Sequence, residues 1–147
     1  MRVTATAGNT GPTFYATLKG AFDAINAGTH QGAITILIQC DTVEVASAVL
    51  NATGGPASYT SVSIQPSGGA ARTVSGTLDS PLIDLNGATN VTVDGLNSGG
   101  NSLTIDNTSA TALASTIRFI NDALNNTVTR CTIKGAGTST TGGTVFF

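Results

Sequence analysis

The sequence predicts an all-β fold, a right-handed parallel β-helix (a solenoid of stacked coils) with one short N-terminal capping α-helix. Its composition, its short apolar runs and an internal repeat support this prediction. Only 10% of the residues are charged, whereas 25 of the 147 are threonine and 18 are glycine. Threonine favours strands and glycine favours turns, so the chain is expected to alternate short strands with tight turns. Because 40% of the residues are hydrophobic, a disordered chain is excluded.

We expect a single domain over residues 1–147, beginning with a lead-in strand and turn over residues 1–12. This segment ends in the turn cluster GNTGP at residues 8–12. The chain reaches Phe147 within an apolar, strand-like run, and nothing near that residue resembles a terminal cap. We therefore expect the chain to be a fragment of a longer protein or a naturally short version of one.

A short amphipathic helix is predicted over residues 13–28. Four of its apolar residues recur at intervals of three and four, which places them on one face; they are Tyr15, Leu18, Phe22 and Ile25. Thr13 or Thr17 can cap the start of the helix, and Gly28 stands where a helix usually stops. Because the helix precedes the first strand of the coils, we expect it to cover the open end of the sheet stack.

Residues 33–147 are predicted to form the coils. Glycine, asparagine, aspartate and serine separate short apolar runs there, a pattern that is typical of a β-sandwich, a barrel or a solenoid. The strand-like runs are residues 34–38, 43–50, 62–64, 82–85, 91–93, 103–105, 117–120, 128–133 and 144–147.

An internal repeat favours the solenoid among these three folds. When the chain is shifted by 35 residues, Asn86 falls on Asn121 and Asn90 falls on Asn125, and apolar positions between them meet apolar positions. Asparagine tolerates the left-handed conformation of sharp turns, and stacked asparagines can bond to one another. We therefore predict two structural turn ladders, one joining Asn86 to Asn121 and one joining Asn90 to Asn125.

Three segments carry a family resemblance. The runs PLIDLNGATNVTVDGL (81–96) and NNTVTRCTIKG (125–135) resemble the coils of the pectate-lyase-like right-handed β-helix superfamily. The run YATLKGAFDAINAG (15–28) resembles the N-terminal region of large secreted surface proteins of Bacteroidetes-type bacteria. The resemblance implies an extracellular or cell-surface location and a longer parent protein with further coils and adhesion-type modules.

The resemblance also directs attention to acidic residues. Polysaccharide lyases and hydrolases on this fold use acidic residues on one outward sheet face, either as calcium ligands or as a carboxylate pair. Asp84, Asp94 and Asp106 are the candidate ligand-binding residues, and stacked strands about 4.8 Å apart could align them in a column if they shared a face. The 35-residue shift, however, places Phe119 opposite Asp84 and Thr129 opposite Asp94. Because the acids do not recur, we predict no catalytic residue.

No cofactor, metal or nucleic-acid partner is predicted. The only histidine is His30, and Cys40 and Cys131 stand in no metal-binding spacing and are expected to be small buried residues. A net charge of −2, with no basic stripe, argues against nucleic acid. The longest apolar run, residues 33–38, is far too short to cross a bilayer, so no membrane insertion is expected.

The low charge, the repeat and the lack of an evident site favour a non-catalytic structural or adhesive module. Exposed apolar strand at a coil end would let copies associate end to end as an oligomer or filament, and surface glycans are the other expected partner. The alternative function is a carbohydrate-binding or polysaccharide-degrading β-helix. A further alternative is binding of ice or crystalline polysaccharide by the hydroxyls of the Thr-x-Thr triplets, which are Thr4–Thr6, Thr127–Thr129 and Thr138–Thr140.

Overall fold

The structure is a computed structural model that describes residues 1–139 and 141–147. The prediction of an all-β solenoid of parallel sheets with one short N-terminal helix is confirmed. The elements are β1 (Arg2–Gly8), β2 (Thr13–Phe14), α1 (Leu18–Asn26), β3 (His30–Ile38), β4 (Thr42–Glu44), β5 (Ala48–Asn51), β6 (Tyr59–Pro66), β7 (Ala71–Gly76), β8 (Pro81–Asn86), β9 (Val91–Asp94), β10 (Ser102–Asn107), β11 (Ser115–Ile120), β12 (Thr127–Thr129), β13 (Cys131–Gly135) and β14 (Gly143–Phe146).

Four coils stack on one another, and each coil contributes one strand to each of three sheets, which we call sheets A, B and C. Sheet A has the strand order β12-β9-β6-β3-β1-β2, sheet B the order β13-β10-β7-β4, and sheet C the order β14-β11-β8-β5. Neighbouring strands of successive coils are parallel. Strand β1 is different, because it pairs antiparallel with both β2 and β3.

Aliphatic side chains from alternate strand positions fill the interior. In sheet A, Ile36, Ile64 and Val93 are adjacent in register, and each is at most 1% exposed. Burying such a side chain completely contributes about 1.5–3 kcal/mol relative to leaving it exposed. Val128 continues this column in β12 but is only half-buried. The side chains of this column are therefore shielded from solvent inside the stack, and Val128, in the last coil, is partly exposed.

The helix is shorter than the sequence predicts. It spans Leu18–Asn26 rather than residues 13–28, and Thr17 is its N-cap, with the hydroxyl accepting a hydrogen bond from the backbone N–H of Gly20 at 3.1 Å. Thr13 and its neighbour are strand residues, because they pair with β1. Backbone groups used in a sheet are not free to begin a helix, which explains the later start.

The N-terminal end of the stack is closed by polar side chains as well as by the apolar face of α1. The carboxylate of Glu44, only 2% exposed, accepts hydrogen bonds from the backbone N–H of Leu18 at 2.7 Å and of Lys19 at 3.0 Å. Asn26 donates to the carbonyl of Val49 at 2.8 Å, and its own carbonyl accepts from the N–H of Asn51 at 3.0 Å. The helix thus caps β5 in sheet C, while β1 covers β3 in sheet A.

The step between coils is not uniform. Thr92 pairs with Thr127, 35 residues on, but Asp84 pairs with Arg118, 34 residues on. The expectation that Phe119 lies opposite Asp84 is therefore wrong by one residue. The first five residues of β8 are all buried, so the strand lacks the alternation of buried and exposed residues that would fix its register in the sequence.

Candidate functional site

The three candidate aspartates lie on three different sheets. Asp84 is in β8 of sheet C, Asp94 ends β9 of sheet A, and Asp106 is in β10 of sheet B. They are not brought together, so they form no carboxylate column. A calcium site or a hydrolytic carboxylate pair would need at least two of them on one face. Ligand binding by any one of them stays a prediction.

Asp84 forms an ion pair between neighbouring coils. The guanidinium of Arg118 binds its carboxylate in two places, with Nε 3.1 Å from Oδ1 and Nη2 2.8 Å from Oδ2. Asp84 is only 5% exposed, and its hydrogen bond raises the pKa of Arg118. Two-point pairing of this kind is among the stronger charge-assisted arrangements, so the pair holds β8 and β11 in register.

Asp94 is engaged in the same way one coil further on. Its Oδ1 accepts from Nε of Arg130 at 2.9 Å and from the backbone N–H of Leu96 at 2.8 Å, and Nη2 of Arg130 donates to Oδ2. The hydrogen bonds from Arg130 hold the pKa of Asp94 below its usual value. Three donors already bind this carboxylate, so little of it is left for a ligand. We call the Asp94–Arg130 ion pair, which joins neighbouring coils, the clamp.

Asp106 is the member of the three that has no salt bridge in the described part of the chain. It lies on the outer face of sheet B, between Ser75 in β7 and Lys134 in β13. Its side chain is half-buried by these neighbours. A lone carboxylate beside a lysine can bind a polar ligand, but it offers neither a paired acid nor a multidentate metal site.

One of the two asparagine ladders is present and is longer than the sequence argument proposed. Asn121 donates from Nδ2 to Oδ1 of Asn86 at 2.6 Å, and Asn86 donates in turn to Oδ1 of Asn51 at 2.9 Å. Sequence reasoning missed Asn51. The signal was there, because Asn51 lies 35 residues before Asn86, as Asn86 does before Asn121.

The prediction of a second ladder between Asn90 and Asn125 is wrong. Asn90 and Asn125 both adopt the left-handed conformation, with φ of 58° and 56°, as expected of turn asparagines. The side chain of Asn90, however, donates to the carbonyl of Thr60 rather than to Asn125. The bridge between these coils comes from Asn126, whose carbonyl accepts from the N–H of Val91 at 2.9 Å. Asn125 takes the left-handed conformation, and the side chain of Asn126, the residue that follows it, makes the bridge.

The cysteines are both free, and only one fits the expectation of burial. Cys131 is half-buried, which raises the pKa of its thiol, whereas Cys40 is exposed. Among residues 1–139 and 141–147, no group of three or more His, Cys, Asp or Glu side chains is placed to hold a metal ion. Within the same residues, no helix has the length and apolar character needed to span a membrane.

The last coil exposes an apolar surface, which we call the open end. Phe119 and Phe147 stack with ring centroids 5.1 Å apart and planes 9° from parallel. Phe147 is 84% exposed and Val145 42%. A groove beside the stacked rings is lined by Phe119, Ala123, Asn126, Val128, Val145 and Phe147.

The threonine triplets are not equivalent in the structure. Thr4–Thr6 lies on β1 and Thr127–Thr129 on β12, both in sheet A. Thr140 lies outside the described residues, so the third triplet has no complete description. Sheet A carries a larger set of hydroxyls in register, one from each of five strands, which we call the hydroxyl row: Thr4, Thr35, Ser63, Thr92 and Thr127.

No family model matches this chain, and comparisons with curated proteins and with solved structures find no similar protein. The resemblance of its coils to pectate-lyase-like proteins and of its N-terminal segment to Bacteroidetes surface proteins therefore stays a prediction.

Proposed function

We propose that this chain is a non-catalytic structural module of an extracellular or cell-surface protein, and that its open end binds the open end of a second copy. The observation that carries the proposal is the contrast between the coils. Val93 is 1% exposed in the third coil, whereas Val128, the next member of its column, is half-buried in the fourth. The open end thus presents the kind of side chain that the inner coils bury against one another.

A second copy suits this surface because it offers matching chemistry. In the inner coils, each strand pairs its backbone with the next coil and packs aliphatic side chains against it. The open end offers the same two features, unpaired strand edges and apolar side chains, to a partner. Exposed strand edges of this kind favour edge-to-edge pairing with another chain.

The two ends of the stack differ, which determines the geometry of association. At the N-terminal end, β1 covers the edge of β3, α1 packs on β5, and Glu44 and Asn26 bind backbone groups of α1 and β5, while β2 and β4 are the edge strands of sheets A and B. Among the described residues, the open end presents the uncovered edge strands of all three sheets, β12, β13 and β14, beside the stacked rings of Phe119 and Phe147, so two copies meet open end to open end. Such a contact uses the same surface on both copies and closes as a two-fold pair. The filament expected from the sequence gives way to a dimer in this proposal.

Polysaccharide cleavage has less support than a structural role. Asp84 and Asp94 are bound by arginines, and the three candidate aspartates are on separate sheets. The extracellular or cell-surface location rests on the resemblance of the coil and helix segments alone.

The test is the solution mass by light scattering over a range of concentrations. We expect the mass to rise from 14.6 kDa towards twice that value and to stay there. Val145→Asp places a charge on the open end and should keep the protein monomeric, whereas Val45→Asp, at a valine 86% exposed elsewhere on the surface, should not. A wild-type monomer at every concentration, or a mass that grows without limit, would contradict the proposal.

A further inference from the structure

The hydroxyl row crosses sheet A from one edge of the coil stack towards the other. Thr4 pairs with Thr35 and Thr35 with Ser63, and the series continues through Thr92 to Thr127. Thr35, Ser63 and Thr92 alternate with buried neighbours, so their side chains are on the outer face of sheet A, and Thr4 and Thr127 share that face because they pair in register with them. Adjacent strands lie about 4.8 Å apart, so the row offers one hydroxyl at each such step along the solenoid axis.

None of the five hydroxyls has a hydrogen-bond partner within the described part of the chain. Hydroxyls in the turns behave differently. Thr77 and Thr108 bond to each other at 2.7 Å, and Ser109 donates to Asp79 at 2.7 Å. The row is therefore not used to hold the fold together, and its donors and acceptors are free for an external partner.

A second row beside the hydroxyls supplies an aromatic ring and longer polar groups. Arg2 pairs in register with Phe14 on one side and Leu37 on the other, and Leu37 pairs with Gln65. Phe14 is 66% exposed, although it is a large apolar side chain. An exposed ring next to hydrogen-bonding side chains provides a stacking surface for the apolar face of a sugar.

The charge on this face favours an uncharged partner. The acid at the end of β9, Asp94, is neutralised by Arg130. Arg2 is then left as a single cation beside the row, and it has no salt bridge among the residues that the structure describes. One cation gives little attraction for a polyanion, and Asp94, being paired with Arg130, gives little for a polycation.

We infer that the outer face of sheet A binds an extended, uncharged polysaccharide that runs along the solenoid axis, across the strands. The spacing of the hydroxyls is close to the length of one pyranose residue in an extended β-1,4-linked chain, so successive sugars meet successive strands. Phe14 stacks on a sugar ring at the β2 edge, and Gln65 adds an amide. This binding is independent of the association at the open end.

Ice is the other extended surface that a hydroxyl row could match. The neighbouring row argues against it, because Phe14, Arg2, Leu37 and Gln65 differ in size and charge and do not repeat. To match an ice surface, a protein needs side chains that repeat regularly in two directions. To match a single polymer chain, it needs side chains that repeat in one direction only.

The experiment is a pull-down with microcrystalline cellulose and with chitin, comparing two double variants. Thr35→Val with Thr92→Val removes two hydroxyls from the hydroxyl row, and Thr73→Val with Thr104→Val removes two from the outer face of sheet B, where these residues are also in register and unpartnered among the described residues. Valine preserves shape and strand preference, so both variants should fold, which circular dichroism and melting temperature check.

We expect wild-type protein to bind at least one of the two polymers and the sheet A variant to lose about tenfold in affinity, with the sheet B variant almost unchanged. Val145→Asp should bind as wild type does, which separates this proposal from that of the dimer. Failure of wild type to bind either polymer, equal losses in the two double variants, or inhibition of ice growth without polysaccharide binding would overturn the inference.

Discussion

Asn121 donates a hydrogen bond from Nδ2 to Oδ1 of Asn86, 2.6 Å away, although the two residues are 35 positions apart in the chain. Asn86 repeats the contact with Asn51 in the coil below. One amide per coil therefore joins three successive turns, and each turn is positioned by the turn beneath it. Stacked amides of this kind add to the backbone ladder because an amide side chain can both donate and accept, as that of Asn86 does here.

Replacing the central amide tests how much the ladder contributes. Asn86→Ala removes two side-chain hydrogen bonds and should lower the free energy of unfolding by about 1–3 kcal/mol. Asn51→Ala, at the end of the ladder, removes one and should cost about half as much. Urea denaturation of the three proteins measures the difference, and equal effects of the two variants would mean that the ladder does not act as a connected unit.

The ion pair in sheet C is expected to be sensitive to loss of its cation. Arg118→Ala leaves the carboxylate of Asp84, 5% exposed, without a partner, and should destabilise the fold by about 3 kcal/mol. Arg118→Ala combined with Asp84→Ala removes the stranded charge and should recover part of that loss. Denaturation of the single and double variants decides the point; a double variant no more stable than the Arg118→Ala protein would contradict it.

The clamp on Asp94 predicts a pH dependence. Its pKa in the folded protein is lowered from the ordinary value of 3.8, chiefly by hydrogen bonds from Arg130. The carboxylate therefore stabilises the fold above pH 3.8, and this contribution is lost as the pH falls through the lower folded value.

The corresponding measurement is the free energy of unfolding between about pH 5 and about pH 2. Asp94→Asn should show a shallower fall than wild type over this interval. Arg130→Gln, which removes the partner, should show the same shallower fall. If both variants followed the wild-type curve, the clamp would not be the source of the acid sensitivity.

Gly95 in the third coil packs closely against the backbone of Arg130 in the fourth. A Cβ at this position would lie 2.0 Å from the carbonyl oxygen of Arg130, so Gly95→Ala must displace backbone. We expect a loss of about 2 kcal/mol or more in the free energy of unfolding. Gly55→Ala is the matched control, since a Cβ there meets nothing within 4 Å, and it should be close to neutral. Equal stability of the two variants would show that the coils can separate locally at no cost.

Structure could be predicted from the sequence where a residue pattern has one structural interpretation. The apolar stripe of the helix and the pairing of Asn86 with Asn121 could be predicted because the helix periodicity and the 35-residue repeat are both visible in the sequence. The pairing of Asp84 with Arg118 could not, because β8 is buried along five successive residues and a shift of one residue still places apolar side chains together. The hydroxyl row escaped notice for a related reason. Its members are spaced unevenly along the chain, and only the strand register brings Ser63 between Thr35 and Thr92.

The proposal that copies associate through the open end is tested most directly by hydrogen exchange at low and high protein concentration. We predict that backbone amides of β12, β13 and β14 exchange more slowly at high concentration, while those of α1, β1 and β2 are unchanged. Slower exchange at the N-terminal end would contradict the account, as would exchange that is independent of concentration throughout the chain.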